Sequence, residues 1–328
     1  MLTLLQGRAS FWLPRIHFSL VLLIFGELVA WQNASDYAPL DWLAVLAIYL
    51  GLGALLLDAI VRFFVTTLPS LMLVAGLFAT IHGTLITLAA VQTENLPQNL
   101  GLRTLGVMPI MFLLAYVSFR LLSSGEATGF FAFVIAAAVG FGWGTWARWF
   151  ADVDHVFVTA PEFSESFPYV IGALLLVGIF PFLYRKPEPM QALDWLLTPV
   201  EGAVAVGVLI VAFVLRSSEG YIETLGTAIA MTLLLMIVFM LAATRSTRPG
   251  IPLLKITPPK NPLLLGWIII LIPFAGLAWV GFNIVDGDDP LHANIFFGAI
   301  LIFGAVWLPL ISTWLGIAAM SRLTREGL

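Results

Sequence analysis

The chain has 328 residues, of which 60% are hydrophobic and only 10% are charged, with a mean hydropathy of +1.01 and a formal net charge of −4. Soluble domains carry about 25% charged residues, so this composition excludes a soluble globular protein. The lack of a basic surface excludes nucleic-acid binding, and the absence of cysteine excludes disulfides, thiolate metal sites and iron–sulfur clusters. The composition predicts a protein of the lipid bilayer.

Ten long apolar runs make up most of the chain, and they are continuous rather than alternating in polarity. A hydrocarbon core about 30 Å thick takes roughly 20 apolar residues per helix, and only helices or closed barrels satisfy their backbone groups there. We therefore expect an all-α polytopic membrane protein in which residues 1–328 form a single transmembrane domain. Predicted helices 1 to 10 cover about 11–31, 41–62, 67–92, 102–122, 127–149, 166–184, 195–216, 221–244, 262–285 and 291–320.

The distribution of Lys and Arg predicts the orientation of these helices. With a cytoplasmic N-terminus, twelve of these residues fall on the inner side and only Arg103, Arg148 and Arg216 fall outside. This bias follows the positive-inside rule, so we expect a multi-pass protein of the cell (inner) membrane with both termini in the cytoplasm. The inner residues are Arg8, Arg15, Arg62, Arg120, Arg185, Lys186, Arg245, Arg248, Lys255, Lys260, Arg322 and Arg325.

A short block of small and apolar residues occurs three times, as GALLL at 53–57 and 172–176 and as GAILI at 298–302. Glycine and alanine on a helix face allow two helices to approach closely in lipid. The block is therefore predicted to mark a helix-packing contact rather than a ligand site. Its repetition also suggests a duplicated chain.

Alignment of the chain with itself supports a duplication. A shift of 119 residues matches predicted helices 2 and 3 with 6 and 7, and a shift of 120 gives eight identities in twenty positions between 103–122 and 223–242. Helices 5 and 9 match only weakly. We therefore predict two parallel four-helix units, helices 2–5 at about 41–149 and helices 6–9 at about 166–285, flanked by helices 1 and 10. This layout resembles that of the quinone-binding membrane subunits of the NrfD type, although no motif carries the likeness.

Polar residues inside the predicted helices are the candidates for function, because a charge near the bilayer centre costs about 2.5–3.5 kcal/mol on insertion scales. Asp58 and Arg62 are four residues apart on predicted helix 2 and are expected to form a salt bridge at its end. His82, near the middle of predicted helix 3, and Glu201 precede aligned glycines in the two repeats. They could form a proton-relay or quinone-contacting pair, or His82 could simply hydrogen-bond a neighbouring helix.

Two further candidates lie on predicted helix 1. His17 is placed in its cytoplasmic third, and Glu27 lies ten residues beyond it, a rise of roughly 15 Å that separates the two side chains. Glu27 is expected to face an acidic outer vestibule or to pair with Arg148.

Two acidic outer loops are weak metal-site candidates. The first holds Asp152, Asp154 and His155, and the second holds Asp288 and His292. Carboxylate and imidazole groups could bind a divalent cation, but the spacing is irregular, so solvated acidic loops are the preferred interpretation.

No catalytic motif is present, and the chain is not expected to be an enzyme. The preferred function is an integral membrane subunit of a larger complex, with partner membrane subunits, that holds a quinone, a lipid or a pigment between helix bundles. A transporter of a small or lipophilic solute is the alternative, although transporter repeats are often inverted and no discontinuous helix is apparent in the sequence. An intramembrane enzyme acting on lipid-linked substrates is a third possibility, suggested only by the acidic loops.

Overall fold

A computed structural model describes residues 2–30, 38–93, 96–124, 130–148, 163–184, 192–244, 263–284 and 291–326. Helices make up most of these ranges, and no strand occurs within them. The helices are α1 (Leu2–Leu23), α2 (Pro39–Arg62), α3 (Leu68–Leu85), α4 (Met108–Ser124), α5 (Phe130–Arg148), α6 (Phe163–Ile179), α7 (Pro199–Ser218), α8 (Thr224–Thr244), α9 (Leu263–Ile284) and α10 (Leu291–Glu326).

Eight helical stretches in the described part of the chain are long and apolar enough to cross a membrane. They correspond to predicted helices 1 to 4 and 7 to 10. Predicted helices 5 and 6 correspond to shorter apolar stretches, Ala132–Thr145 and Phe167–Leu183. The chain is a multi-pass helical membrane protein, and the number of ten spans stays a prediction.

Two of the spans contain π-helical turns. Ile24–Val29 continues α1 in this form, and Asn99–Val107 precedes α4. In the second segment, Pro109 has no N–H to offer the carbonyl of Leu105 four residues earlier. The indole N–H of Trp307, from α10, donates to that carbonyl at 2.7 Å instead. A side chain from another helix therefore bonds to a backbone carbonyl of the irregular segment.

Helix α3 is shorter than the apolar run that predicted it. It begins with a capping box between Thr67 and Ser70 and ends at Leu85, whereas the predicted helix extends to residue 92. The chain then turns back through Leu88, which has a φ of 58°, and Ala90 N donates to Gly83 O at 2.9 Å. The turn is apolar because it is buried against α8, and hydropathy does not distinguish a buried turn from a helix.

The helices form two compact units, each assembled from three separate parts of the chain. Unit 1 comprises 1–53, 114–194 and 255–297, and unit 2 comprises 54–113, 195–254 and 298–328. Each unit therefore takes helices from both predicted repeats, and the duplication itself stays a prediction.

In unit 1, α5 and α9 pack along a glycine-lined contact. A side chain at Gly140 or Gly144 of α5 would collide with the backbone of Phe274 or Ala278 of α9. The spacing of these two glycines is that of the GxxxG motif, which lets helix backbones approach in lipid. Helix α6 packs against α9 and against α1.

In unit 2, α3 is the central helix, packing against α7, α8 and the π-helical segment before α4. The π-helical segment also meets α10 closely, because Gly304 lies directly against the backbone of Gly101 and Gly106. Trp307, one turn further along α10, lies beside Gly76 of α3.

Residues of all three copies of the repeated block lie in packing contacts, but only in the first copy does the glycine itself make the contact: Ile300 and Leu301 of the third copy lie against Gly106 and Gly101, and Leu174 of the second copy is buried. Gly53 lies directly against Ser19 of α1. Gly172 and Gly298 have no described atom within 4 Å of the place a side chain would occupy. In those two copies the larger apolar residues of the block make the contacts, and the closest helix approaches involve glycines elsewhere in the chain.

Candidate functional site

A half-open cavity of about 280 Å³ lies in unit 1, where the first π-helical segment, α4, α5, α6 and α9 meet. Phe25 contributes from the π-helical segment, and Trp267 and Phe274 contribute from α9. The volume is just below the range of about 300–1,000 Å³ that is typical of small-molecule sites. The residues that line it are Phe25, Leu114, Val117, Ser118, Leu121, Ala132, Ile135, Ala136, Val139, Leu174, Trp267, Ile270, Leu271 and Phe274.

Only two of these lining side chains have a polar atom, and one of the two is already engaged. The indole N–H of Trp267 donates to the carbonyl of Leu174 at 2.7 Å, and Gly178 provides the space for that ring on α6. The other polar group is the hydroxyl of Ser118, which makes no hydrogen bond to any residue that the structure describes. Since none of the lining residues is charged, the cavity suits an uncharged lipophilic molecule.

Unit 1 also holds a buried carboxyl group at membrane depth. Glu27 is 3% exposed within the first π-helical segment, and the hydroxyl of Tyr49 in α2 donates to its Oε1 atom at 2.8 Å. The expectation that Glu27 faces an open acidic vestibule is wrong, because the side chain is enclosed by protein. Its suggested partner, Arg148, has a side chain that lies outside the described part of the structure.

His17 is fully buried in unit 1 among aromatic rings. Its imidazole lies 5.3 Å from the ring of Phe119 and stacks on Phe180 at 5.5 Å. The position of His17 in the first span is as predicted, and these contacts are those of a packed core residue.

Helix α2 ends with the salt bridge predicted from its sequence. Arg62 Nε lies 2.7 Å from Asp58 Oδ2, which confirms the pair. Asp58 Oδ1 also accepts a hydrogen bond from the backbone N–H of Leu197 at 2.8 Å. The pair thus fixes the start of α7 in unit 2 and has a structural role.

His82 lies in the last turn of α3, not near the middle of a helix as predicted. It is fully buried, and its ring lies 5.4 Å from that of Phe78. The next residue, Gly83, has no side chain, and this leaves room for Thr104 of the second π-helical segment. Thr104 is 0% exposed, and its hydroxyl has no hydrogen-bond partner among the described residues.

Glu201 takes part in the start of α7. Its carboxylate accepts hydrogen bonds from the backbone N–H and the hydroxyl of Thr198, both at 2.8 Å. This is a capping box, which satisfies backbone groups at a helix N-terminus. The capping role accounts for Glu201 without a ligand, and the spacing Thr-x-x-Glu in the sequence could have revealed it.

The proposed pairing of His82 with Glu201 does not fit the depths of the two residues. Helices α3 and α7 begin near one another, because the end of α2 bonds to the residue that precedes Thr198. At a rise of 1.5 Å per residue, His82 lies about 21 Å from the start of α3, whereas Glu201 lies about 3 Å from the start of α7. The alignment of the repeats placed them at matching points of the two predicted four-helix units, but α3 ends soon after its glycine and α7 begins just before its own.

The metal-site candidates fall where the structure gives no side-chain description. Asp152, Asp154, His155, Asp288 and His292 all lie outside the described side chains. Among the side chains that are described, no group of three or more His, Cys, Asp or Glu residues could hold a metal ion.

Unit 2 has a second apolar cavity of about 260 Å³, between α3, α7 and α8. Its two hydroxyls are satisfied within α3, since Thr80 donates to Gly76 O at 2.9 Å and Thr84 to Thr80 O at 2.7 Å. In the described lining of this cavity, every polar side chain is therefore already hydrogen-bonded. The cavity of unit 1 differs in this respect, because Ser118 is not.

Sequence reasoning missed Ser118, Phe25 and Trp267, because a cavity formed by five segments leaves no local pattern. The one available signal was an isolated serine in the apolar run of α4. Comparison of the chain with protein-family models, with curated proteins and with solved structures finds no match.

Proposed function

We propose that the chain is an integral membrane subunit of a larger assembly and that it holds a lipophilic molecule, of the quinone, lipid or pigment class, in the cavity of unit 1. It catalyses no reaction of its own, and both termini face the cytoplasm. The observation that carries the proposal is the lining of this half-open cavity, which is uncharged and is provided by five segments of one compact unit.

The uneven burial of the spans supports the role as a subunit. In the chain alone, 83% of the Leu68–Leu85 span is buried, whereas 6% of the Pro199–Ser218 span is buried. The exposed side of α7 is apolar, with Val204, Ile210 and Val211 each more than half exposed. Such a helix requires cover by lipid or by another transmembrane chain, and a partner subunit would use this face.

Purification from native membranes in a mild detergent tests both parts of the proposal. We expect stoichiometric partner chains by native mass spectrometry and one class of neutral lipophile after solvent extraction of the purified protein. The Ala136→Leu variant, which adds volume at the cavity wall, should retain the partner chains and lose the lipophile. A chain that is isolated without partners and without a lipophile would contradict the proposal.

A transporter is the second candidate, because the structure has features that the sequence did not suggest. Two spans are irregular, and one of the irregular segments carries the buried Glu27. Transporters place polar groups on interrupted helices near the bilayer midplane. Reconstitution of the isolated chain in liposomes decides between the two functions. Solute uptake that is lost in Glu27→Gln would favour the transporter, and no uptake is expected for the subunit.

A further inference from the structure

We propose that the hydroxyl of Ser118 makes the cavity of unit 1 selective for an uncharged, flat-ringed lipophile that carries a hydrogen-bonding oxygen. This inference rests on the proposed function, since it specifies the ligand of the same cavity. Three observations support it: the behaviour of the other helix hydroxyls, the fixed aromatic side chains, and the chemistry that the lining excludes.

Hydroxyl groups in the helices of this protein generally bond to their own helix. In the described part of the chain, nine of them donate to the carbonyl four residues earlier, and this occupies the donor while leaving the helix intact. Ser118 makes no such bond to Leu114 O, although both residues line the cavity. The nine are Ser19, Thr80, Thr84, Ser123, Thr145, Thr227, Thr232, Ser312 and Thr313.

The hydroxyl of Ser118, which is half-buried and unengaged at membrane depth, favours a ligand with a polar atom. Without a partner, such a group loses the hydrogen bonds that it would make in water. A single water molecule is a poor substitute, because buried waters make about three hydrogen bonds and the lining offers one free hydroxyl. An oxygen atom on an otherwise apolar ligand matches the single polar group.

Two aromatic side chains of the lining, Phe274 and Trp267, are fixed in orientation by their contacts. The ring of Phe274 stacks on Trp143, with centroids 5.5 Å apart and an angle of 14° between the planes. Trp143 in turn stacks on Phe167 at 6.0 Å. Trp267 is held by its bond to Leu174 O. Fixed aromatic side chains favour a planar ring, since offset stacking and edge contacts add to the energy of apolar burial.

The lining also excludes charged lipids from the interior of the cavity. A phosphate or carboxylate headgroup needs a cation or several donors when it leaves water. None of the described lining residues carries a charge, and the indole N–H of Trp267 is already bonded. The headgroup of a phospholipid therefore has no partner inside, which leaves neutral ring lipophiles as the fitting class.

Two probes with the same decyl tail, one with oxygen atoms on its ring and one without, test the inference on the full-length protein in lipid nanodiscs. Decylubiquinone offers a flat ring with carbonyl oxygens, and decylbenzene offers a flat ring and the same tail without oxygen. Ser118→Ala should weaken equilibrium binding of decylubiquinone roughly 3–10-fold, the loss expected for one hydrogen bond. Binding of decylbenzene should stay unchanged. Ser118→Thr, which retains the hydroxyl, should recover most of the affinity for decylubiquinone.

Two further variants separate failure of this inference from failure of the proposed function. Ala136→Leu fills the cavity of unit 1 and should abolish binding of both probes, while Ala230→Leu fills the cavity of unit 2 and should affect neither. If Ser118→Ala leaves the ratio of the two affinities unchanged while Ala136→Leu blocks both probes, the hydroxyl does not select the ligand, and the proposed lipophile site stands. If Ala136→Leu blocks neither probe, the proposed function fails as well. Ser118→Cys, with a similar volume and a weaker donor, gives the same comparison if Ser118→Ala does not fold.

Discussion

The hydroxyl of Thr104 is a buried polar group of unit 2 that bears on the stability of the protein. Its hydroxyl is fully buried and has no partner among the described residues, and its side chain fills the space above Gly83. The other buried threonines of this unit, Thr80 and Thr84, bond to carbonyls of α3. Thr104 lies in a π-helical segment, where the hydrogen-bond register differs from that of an α-helix. In this irregular backbone, the hydroxyl of Thr104 lacks the carbonyl partner that Thr80 and Thr84 find in α3.

We expect Thr104→Val to stabilise the protein. The substitution removes an unsatisfied buried hydroxyl, whose desolvation costs about 1–3 kcal/mol, and keeps a branched side chain of similar size. The free energy of unfolding in detergent, measured by denaturant titration, should rise by up to that amount. Thr80→Val is the matched control and should be neutral or slightly destabilising, because its hydroxyl has a partner. A lower stability for Thr104→Val would show that the hydroxyl is satisfied in the membrane.

Residue pairs within one helix were predictable from the sequence, and pairs between helices were not. Asp58 and Arg62 follow the four-residue spacing that brings side chains together on one helix face, and the structure confirms the pair. Glu27 and Tyr49 are 22 residues apart on different helices, so their contact depends on packing. The same holds for Ser118 and Trp267, which line one cavity only because α4 and α9 meet there.

At the scale of single elements, apolar runs predicted where helices lie but not how each one ends or what it contacts. Hydropathy measures transfer into an apolar environment and carries no information on hydrogen-bond register. The π-helical segments and the turn after Leu85 were missed for this reason. The glycine contacts were missed because a glycine of the GALLL block and one of α5 look alike until the neighbouring helix is known.

The contact between α5 and α9 predicts a sharp difference between two glycine substitutions. Gly140→Ala would place a methyl group against the backbone of Phe274, which cannot move without separating the helices. We expect a loss of about 1–3 kcal/mol or more in the free energy of unfolding. Gly172→Ala, in the GALLL block of α6, has no described atom within 4 Å and should be neutral or stabilising by up to about 1 kcal/mol.

Both variants should be measured by thermal and denaturant unfolding in the same detergent. Equal stability of the Gly140→Ala and wild-type proteins would contradict the close approach of α5 and α9. A large loss for Gly172→Ala would show instead that this face of α6 is covered in the intact protein.

At the scale of the whole molecule, contacts near the helix ends are consistent with alternating spans. In unit 1, Arg15 Nη2 donates to Asp194 O at 3.4 Å, and in unit 2 Leu197 N donates to Asp58 at 2.8 Å. Each of these pairs joins segments that the charge distribution places on the cytoplasmic side. Thr93 and Glu223, which it places outside, also bond to each other. Segments assigned to the same side are thus in contact within each unit.

This alternation predicts that both termini lie in the cytoplasm. A reporter that is active only in the cytoplasm, fused to either terminus, should be active in both fusions, because twelve Lys and Arg residues fall on that side of the predicted topology and three on the other. The same reporter placed after Glu219, in the segment assigned to the outer side, should be inactive and serves as the control. Activity at only one terminus would require an odd number of spans.

Because α5 is synthesised before α9, the contact between these two helices cannot form until α9 has been made. Gly144 meets Ala278, which is synthesised 134 residues later in the sequence. At about 5–20 residues per second, α5 enters the membrane roughly 7–27 s before its partner exists. During that interval its glycine face is in contact with lipid, the insertion machinery or a chaperone. Synonymous codons that slow translation between these two helices would lengthen the exposure, so insertion yield should depend on elongation rate across this segment.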